Sequence, residues 1–152
     1  MTGTLDDHLK LDMQVCFALH ATSRAFDALY RAVLRDLGLT YPQYLAMLVL
    51  WETDGLTVKR LGERLRLDSG TLSPLLKRLE AAGLVERRRN REDERSVSVH
   101  LTAEGAALRS RALDVPRRML GSTGLGPAEL ADLRGTLRRM TEHLDAAAAS
   151  AA

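Results

Sequence analysis

The chain holds one cysteine, Cys16, among its 152 residues. A lone cysteine closes no internal disulfide, and no C-x-x-C pair or Cys/His zinc spacing can be built around it, so disulfide scaffolds and the common zinc folds are excluded. His8, His100 and His143 show no ligand spacing, and neither a metal nor a cofactor is expected. No run of 18 or more apolar residues occurs, which excludes a helical membrane span. The first twenty residues carry Asp6, Asp7, His8, Lys10 and Asp12, with no apolar core and no A-x-A site, unlike a secretory leader. These absences together lead us to expect a protein of the reducing cytoplasm.

What is present is 45% hydrophobic and 28% charged, the composition of a globular chain that buries a core. The net charge of +2 is unevenly spread. Between Thr57 and His100 there are eleven Lys or Arg against seven Asp or Glu, whereas the remainder has eleven against thirteen. The positive excess lies in the middle third, as expected for a nucleic-acid-facing module inside a neutral scaffold.

Apolar spacing predicts one long helix over Leu5–Leu37, ended by Gly38, with more apolar surface than a small domain covers. Thr40-Tyr41-Pro42-Gln43 is a capping box with a first-turn proline, opening a buried helix (YLAMLVLWE) that Asp54-Gly55 ends. In that helix Met47 and Trp51 read as core. Thr57 caps a short helix, Val58 to Arg66. After a tight turn at Leu67-Asp68, Asp68 or Ser69 caps a second helix to Ala82, with Leu72, Leu75, Leu76 and Leu79 on one face and Gly83 as a left-handed stop. Pro74 is expected in the first turn of that helix, which then starts near Thr71. Leu84–Arg89 and the alternating Ser96–Leu101 predict a β-hairpin with a polar tip. Thr102 caps a helix to about Leu120, bent near Pro116. A glycine-rich joint, Gly121 to Gly126, leads to Pro127 and a last helix ending near Leu144. The tail from Ala146 to Ala152 is expected to fray.

The fold class is therefore mainly α with a small β-hairpin: a winged helix-turn-helix flanked by helices. In such a motif the second helix offers its polar face to the major groove. That face holds Ser69, Gly70, Thr71, Ser73, Lys77 and Arg78. The hairpin carries Arg87, Arg88, Arg89, Arg91 and Arg95, suited to phosphates and a minor groove. Ordinary leucine packing and a solvated arginine face are the plainer alternative, and the coincidence of helix pair, basic hairpin and local charge excess argues against it. Cys16, taken alone, reads as a small hydrophobe among Val15, Phe17 and Leu19. A sensing thiol needs donors or positive charge near the sulfur. His20, at i+4, lies one turn along on the same face. Packing explains His20 equally, and Tyr30 and Tyr41 alone read as core aromatics.

The stretch Leu39 to Leu101, with its Asp93-Glu94-Arg95-Ser96 wing, resembles the MarR family of bacterial transcriptional regulators. The N-terminal LDMQVCFALHATSRAFDALYRAVLRDLGLTYPQYL, with its Gln14-Val15-Cys16-Phe17 context, is similar to the organic hydroperoxide-sensing (OhrR) branch of that family. The resemblance covers roughly residues 9 to 145. It implies one MarR-type domain over residues 1–152, with a reading lobe at about 40–101 and dimerisation helices at about 5–37 and 103–145. It also implies a homodimer on an inverted-repeat operator in double-stranded DNA. Cys16 would be the peroxidatic thiol, and Tyr30 and Tyr41 the tyrosines that bond it across the dimer. Asp93 would brace the wing, and Arg95 would enter the minor groove. The family usually has a third tyrosine four residues after the cysteine, where this chain has His20. Two-cysteine members resolve the oxidised sulfur with a second cysteine. This chain has none, so a low-molecular-weight thiol or a backbone nitrogen must do so. The implied activity is a repressor, not an enzyme, induced by organic hydroperoxides. The alternative is a MarR-type repressor released by a phenolic or other aromatic ligand, with Cys16 incidental. A one-cysteine peroxidase is disfavoured, because no thioredoxin-like βαβ pattern surrounds Cys16.

Overall fold

In the computed structural model, which describes residues 5–152, the N-terminal helical run is interrupted. Two 3-10 turns, Leu5–Leu9 and Leu11–Met13, precede α1 (Val15–Val33), and a third, Arg35–Leu37, follows it. The break falls at Gln14, whose backbone is extended. Its side-chain Nε2 donates to the carbonyls of His8 at 2.6 Å and Lys10 at 3.0 Å. A continuous helix would need both carbonyls for its own ladder, so the expected single helix over Leu5–Leu37 does not form. Gly38 ends the segment at φ +67°.

The capping box opens α2 (Tyr41–Glu52) as expected. Gln43 Oε1 accepts from the Thr40 amide at 2.9 Å, and Thr40 Oγ1 accepts from the Gln43 amide at 3.4 Å. This helix is the centre of the core, with Tyr44, Ala46, Met47, Val49 and Leu50 all buried. Such all-round burial requires neighbours on several sides. Trp51 reaches across to a later helix, its Nε1 donating to the Gly105 carbonyl at 2.9 Å.

Thr57 caps α3 (Val58–Leu65) by accepting from the Arg60 amide at 3.1 Å. Asp68, not Ser69, caps α4 (Ser69–Ala81), taking the Thr71 amide at 2.7 Å. Helix α4 therefore begins two residues earlier than Thr71, and Pro74 falls in its second turn. The amide that Pro74 lacks would have bonded the Gly70 carbonyl, and Gly70 sits in the exposed first turn, where solvent replaces that bond. Leu72, Leu75, Leu76 and Leu79 are all buried, as their spacing predicts. At the end of α4 the Gly83 amide bonds the Glu80 carbonyl and the Leu84 amide bonds the Leu79 carbonyl, both at 3.0 Å, with Gly83 at φ +77°. This paired closure needs a residue tolerant of left-handed backbone, and glycine supplies it.

Strands β1 (Val85–Arg89) and β2 (Val97–Leu101) pair antiparallel, Val85 opposite Leu101 and Arg89 opposite Val97. Leu56 adds a third edge by accepting from the Val99 amide at 2.8 Å. Thr102 caps α5 (Ala103–Ala112) and also donates its hydroxyl to the Gly83 carbonyl at 2.6 Å. Gly105 presses so close to β1 that a Cβ there would lie 2.0 Å from the Leu84 carbonyl oxygen.

The expected bent helix is two helices, α5 and α6 (Val115–Gly121), parted at Leu113-Asp114 just before Pro116. Pro116 takes the second position of the later helix, where the amide it lacks has no acceptor within that helix to lose. The chain divides into two compact units, one ending at Val115 and one running from Pro116 to Ala152. In the second, α7 (Pro127–Ala151) runs well beyond Leu144. The expected frayed tail is helical because it is nearly all alanine, the best helix former, and propagation from an existing helix is cheap. No helix of the described residues is long and apolar enough to cross a membrane.

Candidate functional site

Two groups of candidate residues emerge, one on the helix-turn-helix and hairpin, the other on α1 and the start of α2. On α4, Ser69, Gly70, Thr71, Lys77 and Arg78 are exposed and Ser73 is half-buried. Ser69 and Thr71 lie in the first turn, where backbone amides lack intrahelical acceptors and favour anionic partners, and Ser73 follows in the second. Asp68 occupies part of that end. Its carboxyl is held below the usual carboxylate range, first by the Thr71 amide and then by the Thr71 side chain.

The hairpin arginines divide into two sets. Arg89, Arg91 and Arg95 are exposed and have no side-chain hydrogen bond or ion pair among the described residues, and Lys77 and Arg78 share that condition. Arg88 pairs with Glu86 two residues away on the same strand face. Arg87 is turned back onto the protein: its Nε donates to Glu80 Oε2 at 2.9 Å, and its own amide donates to the same oxygen at 3.3 Å. Sequence reasoning grouped all five together because the run Arg87-Arg88-Arg89 does not show which side chains have an acid within reach. The tip is closed by Asp93, whose Oδ1 accepts from the Arg95 amide at 3.0 Å while its carbonyl accepts from the Ser96 amide at 2.9 Å. Asp93 thus shapes the backbone from which Arg95 projects.

In the second group, Cys16 is the second residue of α1 and is exposed. His20 lies one turn along the same face, also exposed. Around them runs an apolar flank that the chain leaves uncovered, including Leu9 at 85% exposure, Val15 at 59% and Phe17 at 44%. Cys16 is therefore not a core residue of this chain, although its sequence neighbours are apolar.

Tyr30 and Tyr41 stack, with ring centroids 4.5 Å apart. Tyr44 completes the cluster at 5.8 Å from Tyr30. Sequence reasoning missed Tyr44 in this role, although its i+3 spacing from Tyr41 on α2 was the available signal. Burial, then Tyr41 and Tyr44, push the Tyr30 phenol up to about 12. Burial and the Asp27 carboxylate raise Tyr41, and burial and Tyr41 raise Tyr44. All three hydroxyls are thereby held in the protonated, hydrogen-bond-donating form. The cluster sits at the far end of α1 from the sulfur. Cys16 and Tyr30 are fourteen residues apart on one helix, or about 21 Å at 1.5 Å per residue. Within one chain the fold brings the tyrosines together and Cys16 beside His20, and it holds the two pairs apart. Among the described residues no group of three or more His, Cys, Asp or Glu is placed to hold a metal ion.

Residues 28–111 match the family model described as transcriptional regulator SarA/Rot. The organic hydroperoxide resistance transcriptional regulator of Bacillus subtilis (strain 168) is 49% identical over 138 residues, covering 91% of this chain and 94% of that protein. The HTH-type transcriptional regulator TtmR of Methylorubrum extorquens (strain PA1) is 50% identical over 145 residues, 95% of this chain and 74% of that protein. Among solved structures, reduced AbfR bound to DNA superposes with a TM-score of 0.78 at 33% identity, covering 93% of this chain and 99% of that one.

Proposed function

Because the chain belongs to the MarR family of transcriptional regulators, in its organic hydroperoxide-sensing branch, we infer that it is a dimeric DNA-binding repressor that leaves its operator when Cys16 is oxidised. The observation that carries this reading is the position of Cys16, exposed on an uncovered apolar flank and about 21 Å along α1 from the tyrosines of its own chain. A second copy packed on that flank covers the apolar surface and sets its own Tyr30 and Tyr41 beside the sulfur. Dimerisation thus completes the sensor as well as the two-fold reading unit. The lobe at about 40–101 reads DNA, and the segments at about 5–37 and 103–145 pair the subunits.

The chemistry needs no cofactor. The Cys16 thiolate attacks one peroxide oxygen, the O–O bond breaks, and the alcohol leaves, giving a sulfenic acid. A small thiol then forms a mixed disulfide with loss of water, or a backbone nitrogen closes a sulfenamide. Either product is larger than a thiol and no longer fits against the tyrosine hydroxyls. The subunits shift, and the two α4 helices lose the spacing of successive major grooves. Ser69, Thr71, Ser73, Lys77 and Arg78 supply the helix contacts, with Arg89, Arg91 and Arg95 on the wing and Asp93 as its brace. Arg88 and Arg87 join them only if their acidic partners release them. His20 donates a hydrogen bond near the sulfur in place of the usual tyrosine. The relatives do not favour release by an aromatic ligand. The protein is cytoplasmic and consumes one peroxide per sulfur without turnover.

Cys16→Ser tests this reading. Serine keeps the shape but does not climb the oxidation ladder, so the variant is expected to fold, dimerise and bind DNA, and to stay bound when cumene hydroperoxide is added while the wild type releases. Release of the serine variant at the wild-type dose would overturn it, as would sustained consumption of peroxide with a thiol reductant.

A further inference from the structure

Glu80 lies in the last turn of α4, and Arg87 is the third residue of β1. One carboxylate oxygen, Oε2, takes both the Arg87 amide and its guanidinium Nε, at 3.3 and 2.9 Å. The Arg87 side chain is the less exposed of the two, at 29% against 41%. The Glu80 carboxyl lies below the usual carboxylate range, chiefly through the side-chain bond from Arg87.

The backbone route from helix to strand is only Ala82 to Leu84, closed by the Gly83 turn. The three-residue joint fixes where β1 starts, and the bond from the Val99 amide to the Leu56 carbonyl holds β2 at 2.8 Å, so the tie between α4 and β1 is what remains for side chains to set. The Glu80–Arg87 bond spans the joint from above, tying the helix to the middle of the first strand. Beyond it on the same strand come Arg88 and Arg89, and then the tip with Arg91 and Arg95.

We propose that Glu80 is a specificity-determining positioning residue, which withholds Arg87 from the DNA phosphates and sets the wing's pitch on α4 so that base-edge and minor-groove contacts form together. The inference rests on the DNA-binding reading above. An arginine free to take any phosphate strengthens binding to every sequence alike, whereas one clamped to the protein strengthens only the sequence whose shape matches the fixed wing.

The test uses the full-length dimer with two probes, a duplex enriched by the wild-type protein from a random-sequence pool and its scrambled counterpart, across a salt series. Both residues are at the surface, so Glu80→Ala, Arg87→Ala and the double variant should fold, and circular dichroism and dimer mass confirm it. Glu80→Gln repeats the test without changing side-chain size. Arg87→Ala is expected to cut the enriched-to-scrambled affinity ratio about tenfold while leaving the slope of log K against log salt unchanged. Glu80→Ala should cut the ratio similarly and steepen the slope by about 0.9 per protomer as Arg87 finds a phosphate. The double variant should match Arg87→Ala in both readings. A slope that falls by about 0.9 per protomer in Arg87→Ala would make Arg87 a phosphate contact and overturn the proposal. An unchanged ratio in Glu80→Ala, or additive losses in the double variant, would also overturn it. If the wild type binds neither duplex, the DNA-binding reading itself fails and the proposal with it.

Discussion

A phenol pushed up to about 12 in the folded protein ionises in the unfolded chain near pH 10, about two pH units earlier. Between those values the unfolded chain has released a proton that the native chain still holds, so stability falls as pH rises, and the contribution is intact below pH 10. Tyr41 and Tyr44 act in the same direction. Urea midpoints should therefore be flat from pH 7 to about 9.5 and decline from there to about 12, with a shallower decline in Tyr30→Phe. An equally steep decline in that variant would remove Tyr30 as its source. The same substitution bears on sensing. Tyr30→Phe and Tyr41→Phe each keep a ring and delete a donor, so operator binding should persist while release by hydroperoxide slows. A gel-shift time course with cumene hydroperoxide measures this, and release at the wild-type rate would leave the tyrosines as packing alone.

Among the elements, the joint between α4, the hairpin and α5 tolerates change least. At Gly105 a methyl group would sit 2.0 Å from the Leu84 carbonyl oxygen and 3.0 Å from its carbon, backbone atoms that cannot rotate away as a side chain would. Gly105→Ala is expected to cost at least about 1–3 kcal/mol by chemical denaturation. Gly83→Ala, forced into left-handed backbone, should cost about 1–2 kcal/mol. A loss below about 0.3 kcal/mol at either site would show that the joint shifts freely. Much of this architecture was legible in the sequence because local chemistry determines it: the Thr40–Gln43 box, the Thr57 and Thr102 caps, the leucine spacing of α4 and the alternation of β2. The elements that read wrongly are those settled by competition. Gln14 spends its side chain on two carbonyls and breaks an otherwise periodic helix, and Pro74 is accepted one turn deeper because the stronger cap is Asp68. The polyalanine tail has no apolar pattern, yet it extends α7 on propensity alone. At the site, the chain order of the arginines says nothing about Glu80, seven residues away and across a turn. The separation of Cys16 and Tyr30 follows already from a helix that holds both, whereas the stacking of Tyr30 on Tyr41, eleven residues on in another helix, emerges only from the fold.

At the scale of the whole molecule, the proposed subunit interface is the uncovered flank around Cys16. A chain that leaves Leu9, Val15 and Phe17 so exposed is incomplete alone. Phe17→Asp places a charge in that flank without touching the buried core, so it should shift sedimentation from dimer to monomer and weaken operator binding by at least tenfold. A variant that remains dimeric would place the subunit interface elsewhere. The separation of sulfur and phenols along α1 has a consequence for mixed dimers. If each working sensor takes its thiol from one chain and its tyrosines from the other, Cys16→Ser and a Tyr30→Phe/Tyr41→Phe double variant are defective for opposite reasons. Co-expressed, they form heterodimers with one wholly intact sensor and one broken on both sides. Two alleles that each respond poorly to peroxide alone would then complement one another, and the peroxide response of a reporter gene would return in cells that carry both.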